Sequence, residues 1–250
     1  MDSKSVVLSS KLFELMNMGN IVILKNHIDK LIERDGDAAI IEVNSFFSMP
    51  TNLSFLINLI LKNSDMMKSV LDESYYHENG FHKLVMLSGK NFKLRLHHFG
   101  NNVKIPMENV HDHRWAFAST ILSGELKMKI FKPHKHVGEP VIHYKYDSNK
   151  ISGKYETFEM GKTHVKVIKE KVYKTGEQYF MGTSDLHRIT NKPFEESITL
   201  ILTGMPISNV CNLYASRPIN QAEKTPAKYD SHILKQMLRS LSEKVYPQYN

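Results

Sequence analysis

The sequence predicts a mainly β protein: an antiparallel barrel or jelly roll with a helical N-terminal extension and a C-terminal helix. Three observations predict it. Between residues 80 and 210, about ten short apolar-alternating runs are separated by closely spaced turn residues, the pattern of a closed or nearly closed antiparallel sheet. Before them, residues 1 to about 75 carry apolar positions at helical spacing. After Pro218 the chain turns polar and then forms an amphipathic run, Ser231 to Val245.

The elements follow in order. Leu12, Phe13, Leu15 and Met16 begin an apolar stripe, which Ile21 to Leu24, Ile28, Leu31 and Ile32 continue until Asp35 and Gly36 stop it. Ala38 to Phe47 is a further short helix. Pro50 ends it, and Thr51 or Asn52 can cap the next, built on Leu53, Phe55, Leu56, Leu59, Ile60 and Leu61. Ser64 or Asp65 can cap a last turn through Val70 and Leu71. This dense apolar face needs a partner domain to cover it.

The pattern changes after the turn dipeptide Asn79-Gly80. His82 to Leu87 and Phe92 to Phe99, joined by Ser88-Gly89-Lys90-Asn91, form a β-hairpin. His111 to Leu122 is the next strand, closed by Ser123-Gly124. Leu126 to Phe131, Val141 to Tyr146, Tyr155 to Met160, His164 to Tyr173, Tyr179 to Met181, His187 to Thr190 and Ile198 to Leu202 complete the set, with Ser148 to Lys154 as a polar turn. The expected organisation is 1–79 as helical extension, 80–214 as barrel, and 215–250 as tail and helix.

Composition narrows the class. Apolar residues make 41% and charged residues 24% of the chain, which is globular and not disordered. The net charge of +7 comes from lysines spread along strand-like segments. A nucleic-acid surface would want Arg and Lys clustered with stacking aromatics, so no nucleic-acid partner is expected. One cysteine, Cys211, excludes an internal disulfide framework and any multi-cysteine metal site. No run approaches the ~20 apolar residues of a membrane helix, and the N-terminus is a poor signal peptide. A soluble, cytoplasmic protein is expected.

The chemistry gathers at His111 and His113. Side chains alternate along a strand, so these two share a face while Asp112 takes the other. His187, on a later apolar segment, is a third imidazole. Three converging imidazoles make a divalent-metal site open to substrate, and imidazole suits iron, zinc, nickel and copper alike. Trp115 and Phe117 share the histidine face and so line the barrel interior, where each either packs in the core or lines the pocket. Asp185 either adds a carboxylate or caps its turn. Arg95, with Lys93 and His97, lies on one face of its strand, and Leu94, Leu96 and His98 lie on the other. If the first set faces inward, Arg95 becomes a pocket group needing an anionic partner, whereas the leucines argue for burial of the second. Tyr179 is either core or a pocket hydroxyl. Cys211 has no general-base partner.

These residues resemble the cupin superfamily. Its first motif is His-x-His, a Glu three or four residues on, and a Gly; here His111, His113 and Gly124 fit, with Phe117 in the place of the Glu and Ile105 in the place of an earlier Gly. In its second motif Gly176, His187 and Asn191 fit, while Gly182 and Ser184 replace a Pro and a Gly. The resemblance covers roughly residues 80 to 210. Three histidines without the Glu resemble the cysteine dioxygenase branch, which also shares HDH, an L-x-G-x-L-type turn (here ILSGEL) and LHR around the third histidine. That branch holds its substrate carboxylate with an Arg on the first strand of the hairpin. His82 stands there, with Lys83 beside it. Its active-site Tyr aligns near Ile201, and its crosslinking Cys is Phe117. The barrel and metal site therefore carry over, and cysteine as substrate does not. Small cupins with His-Asp-His-x-Trp are also similar and imply a fold only.

The resemblance implies His111, His113 and His187 as ligands to Fe(II), with Zn, Mn or Ni as alternatives. Arg95 and Tyr179 are candidate catalytic groups, and His82, Trp115 and Phe117 line the substrate pocket. The implied activity is a mononuclear non-haem iron dioxygenase acting on a small polar metabolite, an amino-acid or thiol derivative, with dioxygen as second substrate. An isomerase, decarboxylase or hydrolase on another metal, and a ligand-binding cupin without turnover, are the alternatives. Strand-exchange homodimers occur in the family and are admitted here.

Overall fold

A computed structural model describes residues 3–100, 108–148, 155–192, 194–219 and 228–245. Five helices come first: α1 (Ser3–Asn17), α2 (Ile21–Asp35), α3 (Asp37–Ser48), α4 (Pro50–Lys62) and α5 (Ser64–Glu73). Their caps follow ordinary end chemistry, but not always at the expected residue. The Asn20 side chain accepts from Ile23 N–H at the start of α2. Pro50 is not the stop of α3 but the first residue of α4, after a Met49 cap. A proline there loses nothing, because that N–H has no helical acceptor. Asn63, not Ser64 or Asp65, caps α5 by accepting from the N–H groups of Asp65 and Met66. Gly36 joins α2 to α3 at φ +56°, a backbone that glycine tolerates best.

Eleven strands follow: β1 (Tyr75–His77), β2 (Phe81–Ser88), β3 (Lys93–Phe99), β4 (Val110–His111), β5 (Phe117–His134), β6 (Glu139–Ser148), β7 (Tyr155–Lys174), β8 (Gln178–Met181), β9 (Leu186–Ile189), β10 (Ser197–Thr203) and β11 (Val210–Ala215), then α6 (Ser231–Val245). Every pairing is antiparallel. The order β1-β2-β3-β10-β5-β7-β6-β11-β4-β9 returns on itself, because β9 pairs again with β5. β8 adds to the first half of β5. β5 therefore belongs to both walls of a jelly roll, and six strands close a ring through its second half.

Five strand expectations change. The strand expected over His111 to Leu122 is broken: β4 ends at His111 and β5 begins at Phe117. Ser123-Gly124 does not end a strand; β5 runs through it with Gly124 at φ +79°, where a Cβ would collide with the Glu196 carbonyl. Residues 155–160 and 164–173 are one strand, bulged opposite His143 and Tyr144. β1 and β11 were not expected. Asn79-Gly80 lies in the loop of a β1–β2 hairpin. From residue 149 to 154 the expected polar turn lies outside the described residues, as do Ile105 and residues 220–227.

The wall formed by β2, β3, β10 and the first half of β5 is covered on both sides. Leu84, Leu94, Leu96, Ile198, Leu200 and Leu202 pack under the helices, with Leu234, Leu238 and Leu241 of α6 in the same cluster. Each fully buried leucine contributes about 1.5–3 kcal/mol. Asn44 of α3 ties the layers together: its Nδ2 donates to the Leu200 carbonyl (2.9 Å), and its Oδ1 accepts from Thr120 (2.6 Å) and Gln178 (2.8 Å). The other side faces the barrel interior, where Phe81, Phe99, Phe117, Ile121, Leu126, Met128 and Tyr179 form a second core. Among the described residues no helix is long and apolar enough to cross a membrane.

Candidate metal centre

β4 is two residues long, and its brevity places the site. His111 sits opposite Leu213 of β11 on one side and opposite His187 of β9 on the other. The chain then leaves regular strand geometry. Asp112 turns to β11, where its carboxylate accepts from Asn212 N–H (2.6 Å) and Nδ2 (2.7 Å). Burial raises its pKa, and those two donors oppose the rise. Asp112 thus faces away from the imidazoles, as alternation expects, and anchors the short strand. His113 returns to the side of His111 although it lies beyond the end of β4.

The three imidazoles converge. Ring centroids lie 4.9 Å apart for His111–His113, 4.6 Å for His111–His187 and 5.0 Å for His113–His187. One ligand nitrogen from each lies within 4.8 Å of the others. His111 Nδ1 lies 2.9 Å from the Asn109 carbonyl, and His187 Nδ1 lies 3.3 Å from the Asp185 carbonyl. A carbonyl only accepts, so each of these Nδ1 atoms carries the proton and each Nε2 keeps a lone pair. Burial favours the neutral form of two of the rings. His187 is lowered to about 3 by burial and then by His111. His113 is held well below the ordinary histidine range by burial and then by His111 and His187. Neutral imidazoles with fixed tautomers are what a divalent cation requires.

Aromatic rings wall the site. Phe117, where a Glu stands in the related motif, meets His113 edge-on at 5.0 Å and His187 at 6.2 Å. Trp115 stacks on His113 at 6.0 Å. Asp185 takes the capping role: its Oδ2 accepts from Gly182 N–H at 2.7 Å. No carboxylate joins the three histidines in a ligand cluster among the described residues. Asn191 of the second motif also has a structural task. Its Oδ1 accepts from Lys127 N–H and its Nδ2 donates to the Glu125 carbonyl, each at 2.7 Å, which locks the end of β9 to β5.

The remaining predicted residues divide. Arg95 is on the barrel side, 8% exposed, with its guanidinium carbon 5.0 Å from the Trp115 ring centroid. This resolves the open question about β3: the leucines are indeed buried, but under the helices, and Arg95 and His97 face inward. Tyr179 stacks on Tyr173 (4.4 Å) and touches the triad only through Phe117, 6.1 Å away. Burial raises its hydroxyl well above the ordinary range. His82 lies on the helix side of β2, sharing a 2.8 Å hydrogen bond with the Tyr229 hydroxyl. Alternation gives the barrel side to its neighbours Phe81 and Lys83 instead, so His82 is outside the pocket assigned to it. Ile201 is core, opposite Arg95. Burial raises Cys211 to about 11, which leaves it unreactive.

Sequence reasoning passed over Tyr75, His77 and Thr199 and left Lys83 as a neighbour of His82. The Tyr75-x-His77 alternation before Asn79-Gly80 was a usable signal, since such a dipeptide between alternating runs marks a hairpin.

No protein-family model matches the chain, and no curated protein matches it. Solved structures do align with it. The TT1209 protein from Thermus thermophilus aligns at 14% identity over 56% of this chain and 93% of its own, with a TM-score of 0.32. A cupin-2 domain protein from Shewanella frigidimarina aligns at 10% identity over 49% and 78%, with a TM-score of 0.27. Hydroquinone 1,2-dioxygenase PnpCD, solved with Cd2+ and 4-hydroxybenzonitrile, aligns at 12% identity over 55% and 70%, with a TM-score of 0.31. The scores are low, and the fold described above rests on its own strand order and register. The histidine cluster, His111, His113 and His187, falls at the two motifs singled out in the sequence.

Proposed function

We propose that the chain is a metal-dependent cupin enzyme, an oxidoreductase of the mononuclear non-haem iron dioxygenase kind, acting on a small polar metabolite. The observation that carries this reading is the convergence of three imidazoles, two of them with outer nitrogens tied to backbone carbonyls. Three imidazoles, each with a ligand nitrogen within 4.8 Å of the others, against an aromatic wall are an arrangement that a bound cation stabilises. His111, His113 and His187 would hold the metal through Nε2 of at least the first and third.

A divalent iron held by these histidines would supply one-electron chemistry with dioxygen. The chain's own residues do the rest. The Asn109 and Asp185 carbonyls orient two ligands, so the rings need not reorganise when a metal enters. Phe117 occupies the place of a fourth protein ligand and keeps the set neutral. Trp115 closes the side of His113 and carries the guanidinium of Arg95 toward the substrate space. Tyr179, one ring removed from the histidines, supports Phe117 rather than touching substrate. The interior aromatic wall excludes water from the reacting groups.

Elemental analysis of anaerobically purified protein tests the reading, followed by oxygen-uptake assays with a panel of amino acids and small carboxylates. About one iron per chain and substrate-dependent oxygen uptake are expected, both lost in His111→Ala. Stoichiometric zinc with no oxygen uptake would sink the oxygenase half and leave a non-oxidative metal cupin.

A further inference from the structure

The barrel side of β1, β2, β3 and β10 carries polar groups that the triad does not use. Tyr75 is opposite Lys83, Lys83 opposite His97, and His97 opposite Thr199. These residues make one row across four adjacent strands, and directly opposed Cβ atoms are about 5 Å apart. Arg95 lies two residues from His97, about 7 Å along the same face. Its guanidinium overlies Trp115, which stacks on His113. Contacts through the Trp115 ring therefore join Arg95, beside the row, to the triad.

The row is poorly compensated as it stands. Lys83 Nζ donates to the Tyr75 hydroxyl (2.8 Å), and no carboxylate pairs with it among the described residues. Lys93, further along the hairpin, does have one, Glu73. The His97 Nε2 and Thr199 Oγ1 atoms are buried with no hydrogen-bond partner among the described residues. Glu108, an acid close to this end of the barrel, is already committed, accepting from Asn79 Nδ2 and Ile189 N–H, each at 2.7 Å. Burial, then Arg95, Lys93 and Arg114, hold Lys83 well below the ordinary lysine range. Buried donors and cations are normally paired, so two unpartnered atoms and an amine with no carboxylate beside it, on adjacent strands, point to a partner that arrives from outside.

We propose that Lys83, His97 and Thr199, with Arg95 at the edge nearer Trp115, form an oxyanion subsite for the carboxylate or phosphate of a small substrate whose other end reaches the histidine triad. The ammonium, the hydroxyl and the imidazole N–H are donors of the kind that surround such a group, and charge assistance strengthens the bonds. The reach to the triad rests on the metal-centre reading above; the subsite itself does not.

The test uses metal-free protein stripped with a chelator. It is titrated with sodium acetate in one arm and sodium phosphate in another, at ionic strength held constant with sodium chloride, while thermal unfolding is followed. At least one anion should raise Tm saturably by a few degrees, and Lys83→Met and Thr199→Val should each weaken that effect ten-fold or more. The responding anion identifies the oxyanion. Without anion, Lys83→Met should melt at or above the wild-type temperature, because it removes a cation with no counter-charge; a lysine that only supports the fold would melt lower. No shift with either anion, or equal shifts in both variants, overturns the subsite. Metal titration of the wild type and of His111→Ala separates the two readings: a Lys83-dependent anion shift in a wild-type chain that binds no metal keeps the subsite and removes the metal centre, and metal binding that His111→Ala abolishes, without any anion shift, does the reverse.

Discussion

The two faces of the β2–β3–β10 wall are made from the same strands and differ in almost everything else. Toward the helices the wall presents Leu84, Leu94, Leu96, Ile198, Leu200 and Leu202, all fully buried and apolar. Toward the barrel it presents Arg95 and Thr199, buried but polar, and Lys83 and His97, half-buried. Period-two alternation lets one strand serve both purposes. Stability is concentrated on the helix side, where apolar packing is complete within the chain. The barrel side carries His97 Nε2 and Thr199 Oγ1, buried atoms with no hydrogen-bond partner among the described residues. The helical layer is thus no appendage; it stabilises a wall whose inner face is costly.

The sharpest way to break this contrast is on the helix side. Leu96→Ala should cost about 2–5 kcal/mol in urea unfolding, while metal content per folded molecule stays as in the wild type. A loss of metal in step with stability would show that the two faces are not separable. Asn44→Ala should cost about 1–3 kcal/mol, since it strips partners from the Leu200 carbonyl, Thr120 and Gln178. A stability change below a few tenths would mean that apolar packing alone holds the layers together.

Acid probes the inner face. His77 of β1 is lowered to about 3, by burial first and then by Lys83, His111 and Arg95. The unfolded chain takes up that proton near pH 6.5, while the folded chain resists it down to about 3. The contribution of His77 to stability is therefore complete above pH 6.5 and is lost as the pH falls toward 3. At pH 5 the loss should be on the order of 1–2 kcal/mol. Urea midpoints at pH 7 and pH 5 check it, with His77→Phe expected to fall less than wild type; equal falls would place His77 in a solvated setting.

Much of this was legible in the sequence, and the omissions have physical causes. Apolar periodicity located the helices and most strands because both faces of the wall are covered and its strands are β-rich. The His111-x-His113 pair and His187 were found from spacing, even though His113 lies just past the strand that the alternation argument assumed. His82 was misplaced by one residue, and in a strand one residue exchanges one face for the other. Arg95 and His97 stayed ambiguous because the leucines beside them signal burial without saying what buries them. That covering layer comes from helices some fifty residues earlier and from α6, a long-range fact that no local pattern contains. β1 was missed because three residues carry little pattern, and β11 because its residues, Val-Cys-Asn-Leu-Tyr-Ala, do not alternate apolar with polar.

The central claim is that three histidines from two distant segments make one metal site. Titration of chelator-stripped protein with Fe(II) under anaerobic conditions, read as bound metal per chain, tests it most directly. The account predicts saturation at about one equivalent in the wild type and in Asp185→Asn, whose carboxylate only caps a turn, and essentially none in His111→Ala, His113→Ala or His187→Ala. Equal metal binding in the wild type and the three histidine variants would contradict it.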